Sequence, residues 1–246
     1  MMEELVAGII GGMGPEATVD LMQKIIAHTE VKDDSGHIRC IVDNNPKIPS
    51  RIEAILGNGE DPGRVMAEVG KKLEEYGADF LVIPCNTAHY YYADVVRAVN
   101  VPVVNMITLV VNTICTSYPD MKKIGVLGST TIVKTALYEK SFAALGVEVI
   151  YPDPDVQAEL FELIKDVKSG KTDISRINKL NAIGKHLLSK GATLAILGCT
   201  ELGILANQDL PVPYIDAAEQ LAIETVAIAK RKKILPPDTS ICHLDI

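Results

Sequence analysis

The sequence predicts an α/β protein built from two similar βα domains, each a parallel sheet covered by helices. Three observations predict it. Apolar runs of strand length alternate with segments of helical period throughout the chain. The two halves repeat one order of elements, and each half delivers a cysteine where a buried strand ends, in "FLVIPCNTAH" and "LAILGCTELG". The intervals agree as well: Gly12 and Cys85 lie 73 positions apart, Gly128 and Cys199 lie 71 apart, and the two cysteines are separated by 114.

The first half opens with the strand "LVAGIIGG", and Pro15 starts the helical "PEATVDLMQKIIAHT" from the position where proline suits a helix. A second strand, "HIRCIVDNN", leads into the proline-rich loop "PKIPSR". "DPGRVMAEVGKKLEEYG" reads as an amphipathic helix closed by Gly77, "DFLVIP" as the strand before Cys85, "AHYYYADVVRAV" as a helix and "VPVVNM" as a fourth strand. In the second half "KKIGVLGS" is again a strand with a small-residue turn, followed by the helical "TIVKTALYEKSFAALG". Then come the strand "VEVIYP", two helical stretches through Ser189, "ATLAILG" before Cys199, and "LPVPYID", which echoes "NVPVVNM". "AAEQLAIETVAIAKRKK" reads as a helix returning to the first domain. The expected domains are therefore 1–106 plus 216–246, and 107–215.

Composition narrows the function classes. The chain has 246 residues, 48% hydrophobic and 23% charged, enough for a sizeable core, and no apolar run reaches membrane-spanning length. A net charge of −8 argues against nucleic acid or an anionic membrane as partner. The one basic cluster, Lys230 to Lys233, ends a helical pattern, where cations suit the helix dipole. The start "MMEELVAGII" has the wrong charge for a secretory signal, so a cytoplasmic location is expected. Five cysteines without CxxC spacing speak against disulfides and zinc ribbons.

Several motifs compete. "GMGPEA" follows a strand and opens a helix as a dinucleotide fingerprint does, but its counterpart "GSTTIV" is not glycine-rich. A turn serving an ordinary ligand pocket is the better reading. Cys85 and His89 stand four apart, with Cys199 as a conceivable third metal ligand, yet Gly203 occupies the place of His89 in the second repeat. No metal is expected, and a packing or hydrogen-bonding role for His89 is. Cys40 and Cys115 read as small buried hydrophobes, and Cys242 as part of a tail. Cys85 and Cys199 differ because they occupy matched positions beside Asn86, Thr87 and Thr200, where hydroxyls and helix-start N–H groups lower a thiol's pKa. In an open parallel sheet ligands bind beyond the carboxyl ends of the strands. If the two domains face each other, both thiols look into one cleft. Two opposed thiols can invert a stereocentre, one removing a proton and the other returning one from the opposite face.

"GIIGGMGPEAT", "NNPKIPSR", "PCNTAH", "VKSG" and "GCTE", in this order from Val6 to Asp216, closely resemble the aspartate racemase branch of the aspartate/glutamate racemase family. The resemblance implies two flavodoxin-like domains related by a pseudo-twofold axis, with the active site in the cleft between them and no cofactor, neither pyridoxal phosphate nor metal. It makes Cys85 and Cys199 the acid/base pair. Asn86, Thr87, Thr200 and Glu201, together with Met13, Thr130 and Thr131 from the two turns, would hold the α-carboxylate and amino group. Arg51 and Lys168 would hold the distal carboxylate. "GST" departs from the threonine-rich turn usual in the family. The implied reaction is racemisation of L- and D-aspartate, with glutamate or broad specificity as the variant and a non-catalytic binding protein for an acidic amino acid as the rival. The expected partners are a small-molecule substrate and a second copy of the chain in a homodimer.

Overall fold

The computed structural model describes residues 4–206 and 210–233. Cys242 and the C-terminal tail lie outside the described residues. Two compact units emerge: Met1–Met106 with Ala218–Ile246, and Ile107–Ala217.

In the first unit β1 (Ala7–Gly11), α1 (Pro15–His28), β2 (Cys40–Asn44), α2 (Arg51–Leu56), α3 (Gly63–Glu75) and β3 (Phe80–Val82) follow in order. A 3-10 turn (Thr87–Tyr91) runs into α4 (Tyr92–Val96), and α5 (Met106–Ser117) begins where the second unit takes over. The sheet is parallel in the order β2-β1-β3, with Ala7 opposite both Cys40 and Phe80. Every residue of β1 is buried, as a central strand covered on both faces requires, which is why it reads as an unbroken apolar run. The expected fourth strand reduces to one bridge, Leu81 to Val103. Leu81 N donates to Pro102 O at 2.8 Å and Val104 N to Leu81 O at 2.8 Å.

In the second unit β4 (Lys123–Leu127), α6 (Thr130–Thr135), α7 (Leu137–Ala143), β5 (Glu148–Ile150), α8 (Pro154–Lys168) and α9 (Ile174–Ser189) precede β6 (Ala195–Leu197), α10 (Thr200–Leu205) and β7 (Tyr214–Asp216). Its parallel sheet has the order β5-β4-β6-β7. That is the first sheet's order, with β7 where the Val103 bridge stands. Ala195 N donates to Pro213 O at 2.8 Å, as Leu81 N does to Pro102. The helix expected after β4 breaks at Ala136, whose φ is 52°. At the break Thr135 Oγ1 donates to Thr131 O at 2.7 Å, a bond that competes with the helical ladder.

The internal repeat has a packing basis. Leu73, Ala78 and Leu81 belong to the first core, and Leu187, Ala192 and Ala195, each 114 positions later, belong to the second. Between helix and strand Gly77 and Gly191 take φ of 96° and 92°, so the same left-handed turn closes both α3 and α9. Each cysteine follows this shared helix–turn–strand unit at the same distance.

The final helix, α11 (Ala217–Ala229), packs within the first unit. Leu5 N donates to Ala229 O at 2.9 Å, and His28 Nε2 meets Glu219 Oε1 at 2.5 Å. The basic cluster serves structure: Lys230 Nζ donates to Gly36 O at 2.5 Å and pairs with Glu4, while Lys233 pairs with Glu224 at 2.7 Å.

Candidate active site

In the first unit the turn after β1 needs glycine at position 12. Its φ is 90°, and a Cβ there would fall 2.2 Å from the Asn45 carbonyl carbon. Gly12 N donates to Thr18 Oγ1 at 2.9 Å, tying the turn to α1. Met13 is buried in the core that also holds Ile48 and Cys85. Arg51 is the first residue of α2, capped by Ser50, whose Oγ accepts from Glu53 N at 3.3 Å. Its Nη1 donates to Ile48 O at 3.1 Å and Pro49 O at 2.7 Å, so the arginine braces its own loop. Its Nε is buried and makes no hydrogen bond among the described residues.

Cys85 is buried just beyond β3 and is followed by Asn86 and Thr87, also buried. His89 organises this corner. Met106 N donates to its Nε2 at 3.0 Å, which fixes the tautomer with the proton on Nδ1. Nδ1 then donates to Cys85 O at 2.9 Å. Burial is the main reason the His89 pKa falls to about 4, so the ring is neutral. The ring stacks on Tyr92 at 5.9 Å, and Tyr92 OH donates to Val103 O at 2.7 Å. With both nitrogens engaged His89 is a brace, as its sequence context suggests. No group of three or more His, Cys, Asp or Glu suited to a metal occurs among the described residues.

In the second unit the ends of β4 and β6 meet: Gly198 N donates to Leu127 O at 2.7 Å. The "GSTT" turn splits its threonines. Thr131 is fully buried with Oγ1 2.8 Å from Ser129 Oγ, whereas Thr130 is exposed. Cys199 is half-buried and is itself the N-cap of α10. Neither Asn86 nor Cys199, the two N-cap residues, caps its helix with its side chain. The Cys199 thiol instead donates to Glu201 Oε2 at 2.9 Å. Thr200 Oγ1 donates to the same oxygen at 3.3 Å, and Lys168 Nζ lies 3.5 Å from Glu201 Oε1. Glu201 is 2% exposed, and a buried carboxylate is tolerated only with such partners.

The profile of one protein family settles where this arrangement belongs: the Asp/Glu/hydantoin racemase model matches residues 10–225. The chain belongs to the Asp/Glu/hydantoin racemase family. It is 30% identical over 228 residues to the broad specificity amino-acid racemase RacX of Bacillus subtilis, covering 89% of this chain and 96% of that one. Among solved structures it is similar to Picrophilus torridus aspartate racemase, with a TM-score of 0.83, 29% identity and coverage of 92% and 94%. An aspartate racemase homologue from Pyrococcus horikoshii matches with a TM-score of 0.73, 27% identity and coverage of 92% and 99%. Glutamate racemases, such as that of Francisella tularensis at 17% identity and a TM-score of 0.67, share the fold.

Within this racemase fold Met13 and Cys85 share the core of the first unit, and Lys168, Cys199, Thr200 and Glu201 form one bonded group in the second. Thr130 stands apart from that group by its exposure. Two buried polar residues near the "GSTT" turn, Ser129 and Gln157, are not singled out by the sequence. Gln157, on α8, is 7% exposed and donates from Nε2 to Gly128 O at 2.9 Å, while its Oε1 is buried without a hydrogen bond among the described residues. Its only signal was a polar residue on the apolar face of α8, one turn before Leu160.

Proposed function

We propose that this protein racemises aspartate by a two-base mechanism in which Cys85 and Cys199 are the acid/base pair. The observation that carries the reading is the duplication itself. One helix–turn–strand unit, repeated at 114 positions, ends each time in a cysteine at the carboxyl edge of a parallel sheet. Binding alone needs no thiol at either place, so the pair favours turnover over a mere binding protein.

In the proposed reaction one cysteine enters as thiolate and takes the α-proton, leaving a carbanion conjugated with the α-carboxylate. The other enters as thiol and gives its proton to the opposite face of that carbon. Two S–H bonds exchange roles and the enzyme ends in the mirror protonation state, ready for the other enantiomer. Donors beside each cysteine would stabilise the developing charge, with Asn86, Thr87 and Thr200 as candidates. Arg51 and Lys168 are proposed to bind the distal carboxylate. No step is assigned to metal or pyridoxal phosphate. The reading extends to a homodimer, which light scattering tests.

The resemblance to RacX favours one second reading, a racemase of broad specificity with the same two thiols. Chiral chromatography of aspartate, glutamate and neutral amino acids, with chelator present and no cofactor added, separates the two. Turnover of aspartate alone supports the first, and comparable rates on neutral amino acids support the second. Full activity of Cys85→Ser or Cys199→Ser would end both.

A further inference from the structure

We infer that Glu201 is a positioning residue that keeps the Cys199 thiol protonated, with Lys168 as its counter-ion, so that Cys199 rests as the proton donor of the pair and Cys85 as the acceptor. The inference deepens the two-base reading and rests on it for its catalytic meaning.

The geometry gives the proton one place to be. Cys199 Sγ and Glu201 Oε2 are 2.9 Å apart and share a single hydrogen. A carboxylic acid is intrinsically about 10⁴-fold more acidic than a thiol, so the hydrogen stays on sulfur and the carboxylate accepts. Lys168 Nζ lies 3.5 Å from the other oxygen and supplies the counter-charge. Removing the proton from Cys199 would put a thiolate against a carboxylate that is 2% exposed, where repulsion is poorly screened.

The first repeat lacks this device. The position 114 before Glu201 is Thr87, which carries no charge. The chain therefore builds the same thiol twice, but among the described residues the thiol–carboxylate bond is made by Cys199, and the two sulfurs differ in this partner. Other titratable groups border α10 from β7: Asp216, whose Oδ2 would lie 2.4 Å from a Cβ at Gly203, and Tyr214, packed against the same core as Cys199. Neither is altered in the variants below, so both act equally in every comparison.

The test is peptide-resolved alkylation by iodoacetamide, followed by mass spectrometry from about pH 6 to about pH 10 on the full chain. It reads the Cys199 proton without requiring turnover. In Glu201→Gln, which keeps the side-chain shape, the midpoint of Cys199 alkylation is expected to fall by about one pH unit, a roughly tenfold faster reaction near neutrality. In Lys168→Met, which leaves the carboxylate without its counter-charge, the midpoint is expected to rise. Loosened packing would accelerate alkylation in both variants, and the rate at Cys85 reports loosening independently. A Cys199 midpoint unmoved in Glu201→Gln, or moved in the same direction by both variants, overturns the inference. Both shifts in the variants, with a wild-type protein that racemises no amino acid, would leave the Glu201 contact standing and remove the two-base reading instead.

Discussion

Lowering the pH should weaken the first unit through His89, and the size of the effect follows from its surroundings. The imidazole is 5% exposed, accepts from Met106 N and donates to Cys85 O, and its pKa is lowered from 6.5 to about 4, chiefly by burial. Between those values the unfolded chain binds a proton that the folded chain refuses, so stability falls as pH falls. Above about pH 6.5 the penalty is absent. At pH 5 it amounts to about 2 kcal/mol, and below pH 4 to about 3 kcal/mol, the full difference between the two pKa values.

The assay is urea unfolding of the wild type and of His89→Asn at about pH 7 and about pH 5. The variant loses the brace and is less stable at both, but it carries no imidazole to protonate. The wild type should therefore lose about 2 kcal/mol more than the variant across this interval. Carboxylates held by partners, such as Asp166 beside Lys171 and Arg176, titrate in both proteins and cancel in the comparison. Equal losses in the two proteins would refute the assignment of His89 as a neutral buried brace.

Other consequences follow from single sites. Gly12→Ala forces a left-handed backbone on alanine and drives its Cβ into the Asn45 main chain, so the urea midpoint should drop by the equivalent of at least about 2 kcal/mol. Cys40, whose thiol burial pushes up to about 11, should resist alkylation near neutral pH in the native protein and react only on unfolding, as timed mass spectrometry would show. Arg51→Ala and Lys168→Ala should each raise KM for aspartate by about tenfold or more, as expected for a lost charge-assisted carboxylate contact, and Arg51→Ala should spare neutral amino acids if those are substrates. An unchanged KM for aspartate in both variants would remove the distal-carboxylate role.

Much of this was legible in the sequence because the chain states it twice. The matched Leu73 and Leu187, the closing glycines 77 and 191 and the two cysteines gave the α/β order of each half, since a parallel sheet covered on both faces leaves unbroken apolar runs. Where the halves diverge, legibility fails. "VPVVNM" and "LPVPYID" look alike, yet only the second holds a strand, and the first pairs with β3 through one bridge. The break at Ala136 carries no glycine or proline to announce it. Within the site, residue type located Cys199 and Glu201, but not the hydrogen bond between them. Hydroxyl capping suggested a thiol eased toward its anion, and the structure puts a carboxylate there instead. The orphaned buried oxygen of Gln157 is not legible in the sequence, because only packing defines it.

The central claim is that two thiols serve opposite faces of one carbon. It is tested most directly by incubating L-aspartate with the protein in D2O and analysing both enantiomers at low conversion by chiral separation and mass spectrometry. The account predicts that newly formed D-aspartate carries one deuterium while the remaining L-aspartate keeps its protium, because the returning proton comes from a second, solvent-exchanged thiol. Deuterium appearing in the remaining L-aspartate as fast as in the product would show one base working both faces, and would contradict it.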